Sequence, residues 1–196
     1  MELLADRIAG FFIQSGVATE ETRDIYVYGL IHAFSVIIGL VITTTLGFVF
    51  SVPLEMLLFF VPFTALRMTS GGYHALTFWR CIIISFLVMF TVAFVLRANI
   101  APLYSTVIIS VSIISVIVIY CIAPVGDKRH PLTSAEVLRF KKCARVVVTG
   151  NALIALIILA LGSSRYSFSL SIGAGASTSS TLVAFLNNKI FGGRET

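Results

Sequence analysis

The stretch Leu103-Tyr104-Ser105-Thr106-Val107-Ile108-Ile109-Ser110-Val111-Ser112-Ile113-Ile114-Ser115-Val116-Ile117-Val118-Ile119-Tyr120-Cys121-Ile122-Ala123 carries no Asp, Glu, Lys or Arg. As an α-helix it would be about 30 Å long, the thickness of a bilayer's hydrocarbon core. The stretch predicts a spanning helix that ends at Pro124. Similar runs lie on both sides: Leu30 to Phe50, Leu54 to Leu66 and Ile82 to Leu96 before it, and Val146 to Leu161 after it. The run Leu54 to Leu66 would rise only about 20 Å before Arg67, so it predicts a short second span. Gly162 to Thr181 is crowded with Ser, Gly and Ala and has the composition of a linker. No charge falls between Phe168 and Leu186, however, and small residues such as Gly173, Gly175 and Ser177 let helices approach closely, so a sixth span is predicted there.

The composition agrees. Of 196 residues, 58% are hydrophobic and 12% charged, where a soluble domain carries about 25% charged residues. That excludes a large soluble catalytic domain and leaves room for about six spans with short loops. The fold class is all-α: one integral membrane domain over residues 1–196. Residues 1–18 are read as an interfacial helix, with Leu4, Ile8, Phe11 and Phe12 on one face and Glu2, Asp6 and Arg7 off it. The basic n-region and cleavage site of a signal peptide are missing there. Thr19, before Glu20 and Glu21, is a candidate N-cap for the helix entering the first span.

The net charge is +5, and its distribution assigns it to orientation rather than to nucleic acid. With six spans, 12 of the 14 basic residues fall on one side and only Arg97 and Arg165 on the other. By the positive-inside rule both termini face the cytoplasm, as do the segment 67–81 and the basic loop 124–145 of a multi-pass protein of the cytoplasmic membrane.

Chemistry concentrates in Arg67-Met68-Thr69-Ser70-Gly71-Gly72-Tyr73-His74-Ala75-Leu76-Thr77-Phe78-Trp79-Arg80-Cys81. A nucleophile needs a base, and His74 and Cys81 supply both. In one straight helix they would sit about 10.5 Å apart along the axis, too far for proton transfer. Gly71 and Gly72 permit the irregular backbone that would fold His74 back over the start of the third span. Cys81 would then occupy that span's first turn, where the helix N-terminus and Arg80 favour the thiolate. Cys121 and Cys143 lack this setting and are read as structural, His32 as a helix-packing residue and His130 as a surface one. Three cysteines this far apart suit neither a disulfide framework nor a zinc site, so no metal or cofactor is implied. No acid lies between Glu55 and Asp127, and Glu55 falls on the opposite side. The site is therefore a Cys/His dyad, or its third group comes from the Asp127 loop or from backbone.

These residues resemble a known signature. Arg67, Gly71-Gly72-Tyr73-His74-Ala75 and Cys81, between two apolar spans, look like the accessory gene regulator protein B family (AgrB) of membrane cysteine endopeptidases. A second stretch, Ala123-Pro124-Val125-Gly126-Asp127-Lys128-Arg129-His130-Pro131-Leu132, is similar to the family's Ala-Pro segment followed by basic residues and another proline. The resemblance implies Cys81 as nucleophile, His74 as base, and Arg67 and Gly72 as further essential residues; Gly71 and Arg80 are supporting positions. It also implies the reaction: cleavage of the C-terminal tail of a quorum-sensing peptide precursor through a Cys81 thioester, then ring closure to a thiolactone or lactone. The implied partner is an AgrD-like precursor with an amphipathic N-terminal helix and an acidic tail, and the implied assembly a homodimer in the bilayer. From Pro124 to Arg145 the net charge is +4, which suits an acidic tail at Lys128, Arg129, His130, Lys141 and Lys142; attraction to anionic lipid explains it equally. His130 stands where the family often has lysine, which weakens the charge there.

Two other classes compete. A small peptide or solute transporter would use the Ser-rich spans, but the spans from the third to the sixth hold no acid or paired ionisable relay. A membrane scaffold would be indifferent to loss of Cys81.

Overall fold

The computed structural model describes residues 2–16, 19–71, 78–98, 104–125 and 134–191, and for residues 2, 78–81, 104, 134–135 and 190–191 only their place in a helix. The described chain is helical, with α1 Glu2–Gln14, a 3-10 turn Glu20–Thr22, α2 Arg23–Val49, α3 Pro53–Ser70, α4 Phe78–Ala98, α5 Tyr104–Ile122, α6 Ser134–Ala160 and α7 Ser164–Phe191. Each predicted span is thus a helix. By length and composition four can cross a membrane: Glu20–Val49, Ser105–Ile122, Glu136–Ala160 and Ser164–Lys189, with Ile82–Ala98 a shorter apolar helix. Their outward faces carry exposed Ile37, Val41, Phe48, Leu87, Phe94, Ile117 and Ile157. Apolar surface so continuous is covered by lipid rather than water.

The termini of these elements follow from local chemistry. Thr19 precedes the turn that leads into α2, its backbone N–H donating to Thr22 Oγ1 at 3.1 Å. α1 packs on α2 through buried Ala5 and Ala9, the Asp6–Arg23 ion pair at 3.0 Å and an edge contact of Phe12 with Tyr26, while Leu3, Leu4 and Phe11 stay exposed. That exposed apolar face suits an interfacial helix. Between α2 and α3 the chain reverses in three residues. Gly47 allows this, because a Cβ there would sit 2.8 Å from Pro53 Cα.

Two boundaries differ from the sequence reading. α3 does not stop at Leu66 but continues through Arg67 to Ser70, ending where Gly71 takes φ +71°. One arginine near a helix C-terminus is compatible with the helix dipole, so the positive φ is what stops it. The segment 124–145, read as a loop, is helical from Ser134 onward, and Lys141, Lys142 and Arg145 lie on α6.

The centre of the bundle is α7 packed on α3, with α5 and α6 on its other sides. Small residues explain why the least apolar span is the innermost. A Cβ on Gly173 would overlap the Phe59 carbonyl oxygen of α3 and lie 2.9 Å from Pro62 Cγ; one on Gly175 would meet Val111 Cγ1 of α5 at 2.6 Å. Several buried polar groups are paired across helices: Ser167 Oγ donates to Ala155 O (2.6 Å), Asn151 Nδ2 to Leu170 O (3.2 Å), and Ser112 shares a hydrogen bond with Ser171 (3.2 Å). Close backbones and interhelical hydrogen bonds hold helices together where lipid removes the hydrophobic preference for a partner.

Candidate functional site

The two ends of the bundle are chemically distinct. At one end Glu55, in the first turn of α3, pairs with Arg165 at the start of α7 (2.8 Å), and Arg165 also donates to Leu96 O near the end of α4 (3.5 Å). At the other end lie Arg67, the end of α3 and Gly71, the end of α5, and the basic first turns of α6. There Arg145 donates to Tyr120 O (3.1 Å) and stacks over the Tyr120 ring at 4.8 Å. Glu55 and Arg165, which the charge count assigned to one side, do meet there.

At the Arg67 end the two signature stretches come together. Val125 N–H, from the Ala-Pro stretch, donates to Ser70 O at 2.9 Å. Gly71, from the Gly-Gly stretch, has φ +71° and ψ 150°, a combination open essentially to glycine alone. A Cβ at this position would overlap the Val125 carbonyl oxygen. Gly71 is therefore required twice over, by its torsion and by the backbone laid against it. From α7, Thr181 Oγ1 donates to Gly71 O (2.7 Å) and lies 2.8 Å from Ser70 Oγ. Ser70 and Thr181 are both fully buried.

Beside this junction a cavity of about 70 Å³ opens between α2, α3 and α4. Its lining follows helical spacing: His32, Ser35, Gly39 and Ile42 on α2, Phe60, Phe63, Thr64 and Arg67 on α3, and Ile82, Ser85 and Met89 on α4. The polar side chains gather towards the Arg67 end, and Ile42, Phe60 and Met89 close the inner end. Arg67 also lies over the Phe63 ring, 5.9 Å from its centroid, a favourable seat for a guanidinium. Cys81 is the fourth residue of α4, one position before Ile82 and one turn before Ser85. The first turn of this third span, expected to hold the nucleophile, is thus the turn adjoining the cavity.

Of the residues singled out from sequence, Arg67 and Gly71 are at the site, Lys141 and Lys142 are on α6, and Arg80 and Cys81 are in the first turn of α4. Gly72, His74, Lys128, Arg129 and His130 lie outside the described residues. Cys121 and Cys143 are exposed free cysteines on α5 and α6. No group of three or more His, Cys, Asp or Glu that could hold a metal occurs among the described residues. The sequence reading took His32, which lines the cavity, for a helix-packing residue, and passed over Ser70 and Thr181. His32 carried a signal, since an ionisable residue within an apolar span usually faces the bundle interior. Ser70 and Thr181 carried none, being two among many hydroxyls.

Four helices long and apolar enough to cross a membrane, with shorter apolar ones, define an all-α polytopic membrane protein with a polar, glycine-stopped junction at one end of its bundle. The sequence matches the family described as Accessory gene regulator B over residues 5–185, and the chain belongs to that family. It is also similar to a protein of Clostridium perfringens (strain 13 / Type A) named as AgrB-like protein 2, with 24% identity over 135 residues. That match covers 66% of this chain and 63% of the relative's length. No solved structure matches the chain.

Proposed function

We propose that the protein is a cysteine endopeptidase of the cytoplasmic membrane that processes a quorum-sensing peptide precursor. The observation that carries this reading is the junction itself: two stretches more than fifty residues apart, each resembling the family's signature, are held in backbone contact by Gly71 and Val125. The chain between Gly71 and Cys81 contains His74.

In the proposed reaction His74 takes the proton of Cys81, and the thiolate attacks the carbonyl at the end of the future signal. N–H groups of the first turn of α4, which have no intrahelical partner, receive the oxyanion. The protonated His74 gives its proton to the departing amine, and the tail leaves. A thioester to Cys81 remains until a Cys or Ser within the precursor attacks it, closing the ring and restoring the thiol. Forming a thioester from an amide is uphill, so departure of the tail drives the first step; the second exchanges one activated acyl bond for another. The apolar inner cavity limits water that would otherwise hydrolyse the intermediate.

Arg67 holds the precursor beside the cavity, and Lys141 and Lys142, with the basic residues preceding α6, attract an acidic tail. The partner is an AgrD-like precursor lying on the bilayer, the working form is a homodimer, and the Arg67 end faces the cytoplasm.

The test is the intact mass of the protein reconstituted in vesicles with an AgrD-like precursor. An adduct of the precursor minus its tail is expected, lost in Cys81→Ala and His74→Ala and discharged as a cyclic peptide. Binding without adduct or cleavage would reject the peptidase reading in favour of transport or scaffolding.

A further inference from the structure

We propose that Thr181, on the last helix, is a positioning residue for the Cys81 peptidase, and that it acts through the hydrogen-bonded junction at Ser70 and Gly71. The inference rests on the function proposed above and goes beyond it by bringing α7 into the site.

The argument starts from proton counting. Ser70 and Thr181 have one hydroxyl proton each, and both side chains are fully buried. Around them are three carbonyl acceptors: Gly71 O, 2.7 Å from Thr181 Oγ1 and 3.2 Å from Ser70 Oγ; Leu66 O, 2.6 Å from Ser70 Oγ; and Ser177 O, 3.1 Å from Thr181 Oγ1. Leu66 O and Ser177 O lie four residues back in the same helices, where hydroxyls commonly bond. Gly71 O lies beyond the end of α3 and takes the shortest bond from Thr181. The 2.8 Å contact between the hydroxyls allows Ser70 to donate to Thr181, and Thr181 to Gly71 O. With Val125 N–H bonded to Ser70 O, the last peptide groups before residue 72 are held from α7 on one side and from the end of α5 on the other.

The peptide groups of Ser70 and Gly71, which precede His74 in the sequence by four and three residues, are thus held by tertiary contacts. Thr181 joins elements 110 residues apart. Its neighbour Thr178, also buried, donates to Ala174 O of its own helix (2.8 Å) and, among the described residues, has no hydrogen bond to the Ser70–Gly71 junction. Thr178 therefore serves as the internal control.

The experiment uses the full chain, with Cys121 and Cys143 replaced by Ser, in vesicles with an AgrD-like precursor. Two quantities are read: the single-turnover rate of thioester formation against precursor concentration, and the alkylation rate of Cys81 by iodoacetamide without precursor. Thr181→Val removes the hydroxyl at nearly constant shape, and should lower the maximal rate roughly 10- to 100-fold while leaving the half-saturating concentration unchanged. Cys81 alkylation should slow in parallel. Thr181→Ser should restore both, Thr178→Val should change neither, and Ser70→Ala should add nothing in the Thr181→Val background, because both act on one network.

Wild-type behaviour in Thr181→Val would overturn the inference, as would an equal loss in Thr178→Val, which would mean packing alone. If Thr181→Val does not fold, Thr181→Ala is read by the same criteria, and wild-type rates there reject the junction's role. A wild-type protein that forms no thioester is a different failure: it rejects the peptidase reading, and this inference with it.

Discussion

Replacing Gly71 by alanine tests the physical account of the junction. The torsion pair φ +71°, ψ 150° would cost a non-glycine residue about 1–3 kcal/mol. The new Cβ would also overlap the Val125 carbonyl oxygen, so the two backbones must part. That sacrifices the 2.9 Å hydrogen bond from Val125 N–H to Ser70 O, worth about 0.5–1.5 kcal/mol net. With the two contributions added, the expected loss for Gly71→Ala is about 1.5–4.5 kcal/mol. The assay is equilibrium unfolding in mixed micelles, run beside Gly150→Ala in the interior of α6. A Cβ there meets nothing within 4 Å, so that change should be neutral or stabilise by about 0.5–1 kcal/mol. The reasoning would be refuted if Gly71→Ala unfolded like Gly150→Ala and retained wild-type cleavage. A variant that keeps its stability but loses cleavage would mean that the junction opens without unfolding the bundle, and that positioning is its main contribution.

Three further outcomes follow from the same contacts. Gly173→Val should destabilise by about 1–3 kcal/mol through overpacking of α7 on α3, because its Cβ has the Phe59 carbonyl oxygen and the Pro62 ring in its way; unfolding in micelles measures it. Arg165→Ala leaves the Glu55 carboxylate, 8% exposed, without its 2.8 Å partner; the loss should be about 1–3 kcal/mol, between a surface and a buried pair, and Glu55→Gln in the same chain should recover most of it. Gly39→Leu places a side chain towards the Phe60 ring and Met89 at the inner end of the cavity; thioester formation should fall about tenfold or more as the space is filled, whereas unchanged turnover would remove the cavity from the substrate's path.

Hydropathy along the chain was enough to locate the spans, because whether a segment crosses a bilayer depends on its own apolar length. Even α7, with the composition of a linker, was legible from its lack of charge between Phe168 and Leu186. The separation of Glu55 and Arg165 from the basic end was legible too, since charge sorts by side. Arg67, Gly71 and Cys81 drew attention as the polar exceptions in an apolar chain. What the sequence did not reveal is which helix lies against which. In lipid one apolar face is as good as another, so partners are chosen by close fit and by hydrogen bonds that need both sides in place. Gly173 against Phe59, Val125 against Gly71, Thr181 against Ser70 and His32 across a cavity from Arg67 are all decided that way. Local composition determined where the apolar helices lie along the chain. Only the tertiary structure brought the two signature stretches together, because the backbone contact that joins them exists only once α3, α5 and α7 are packed.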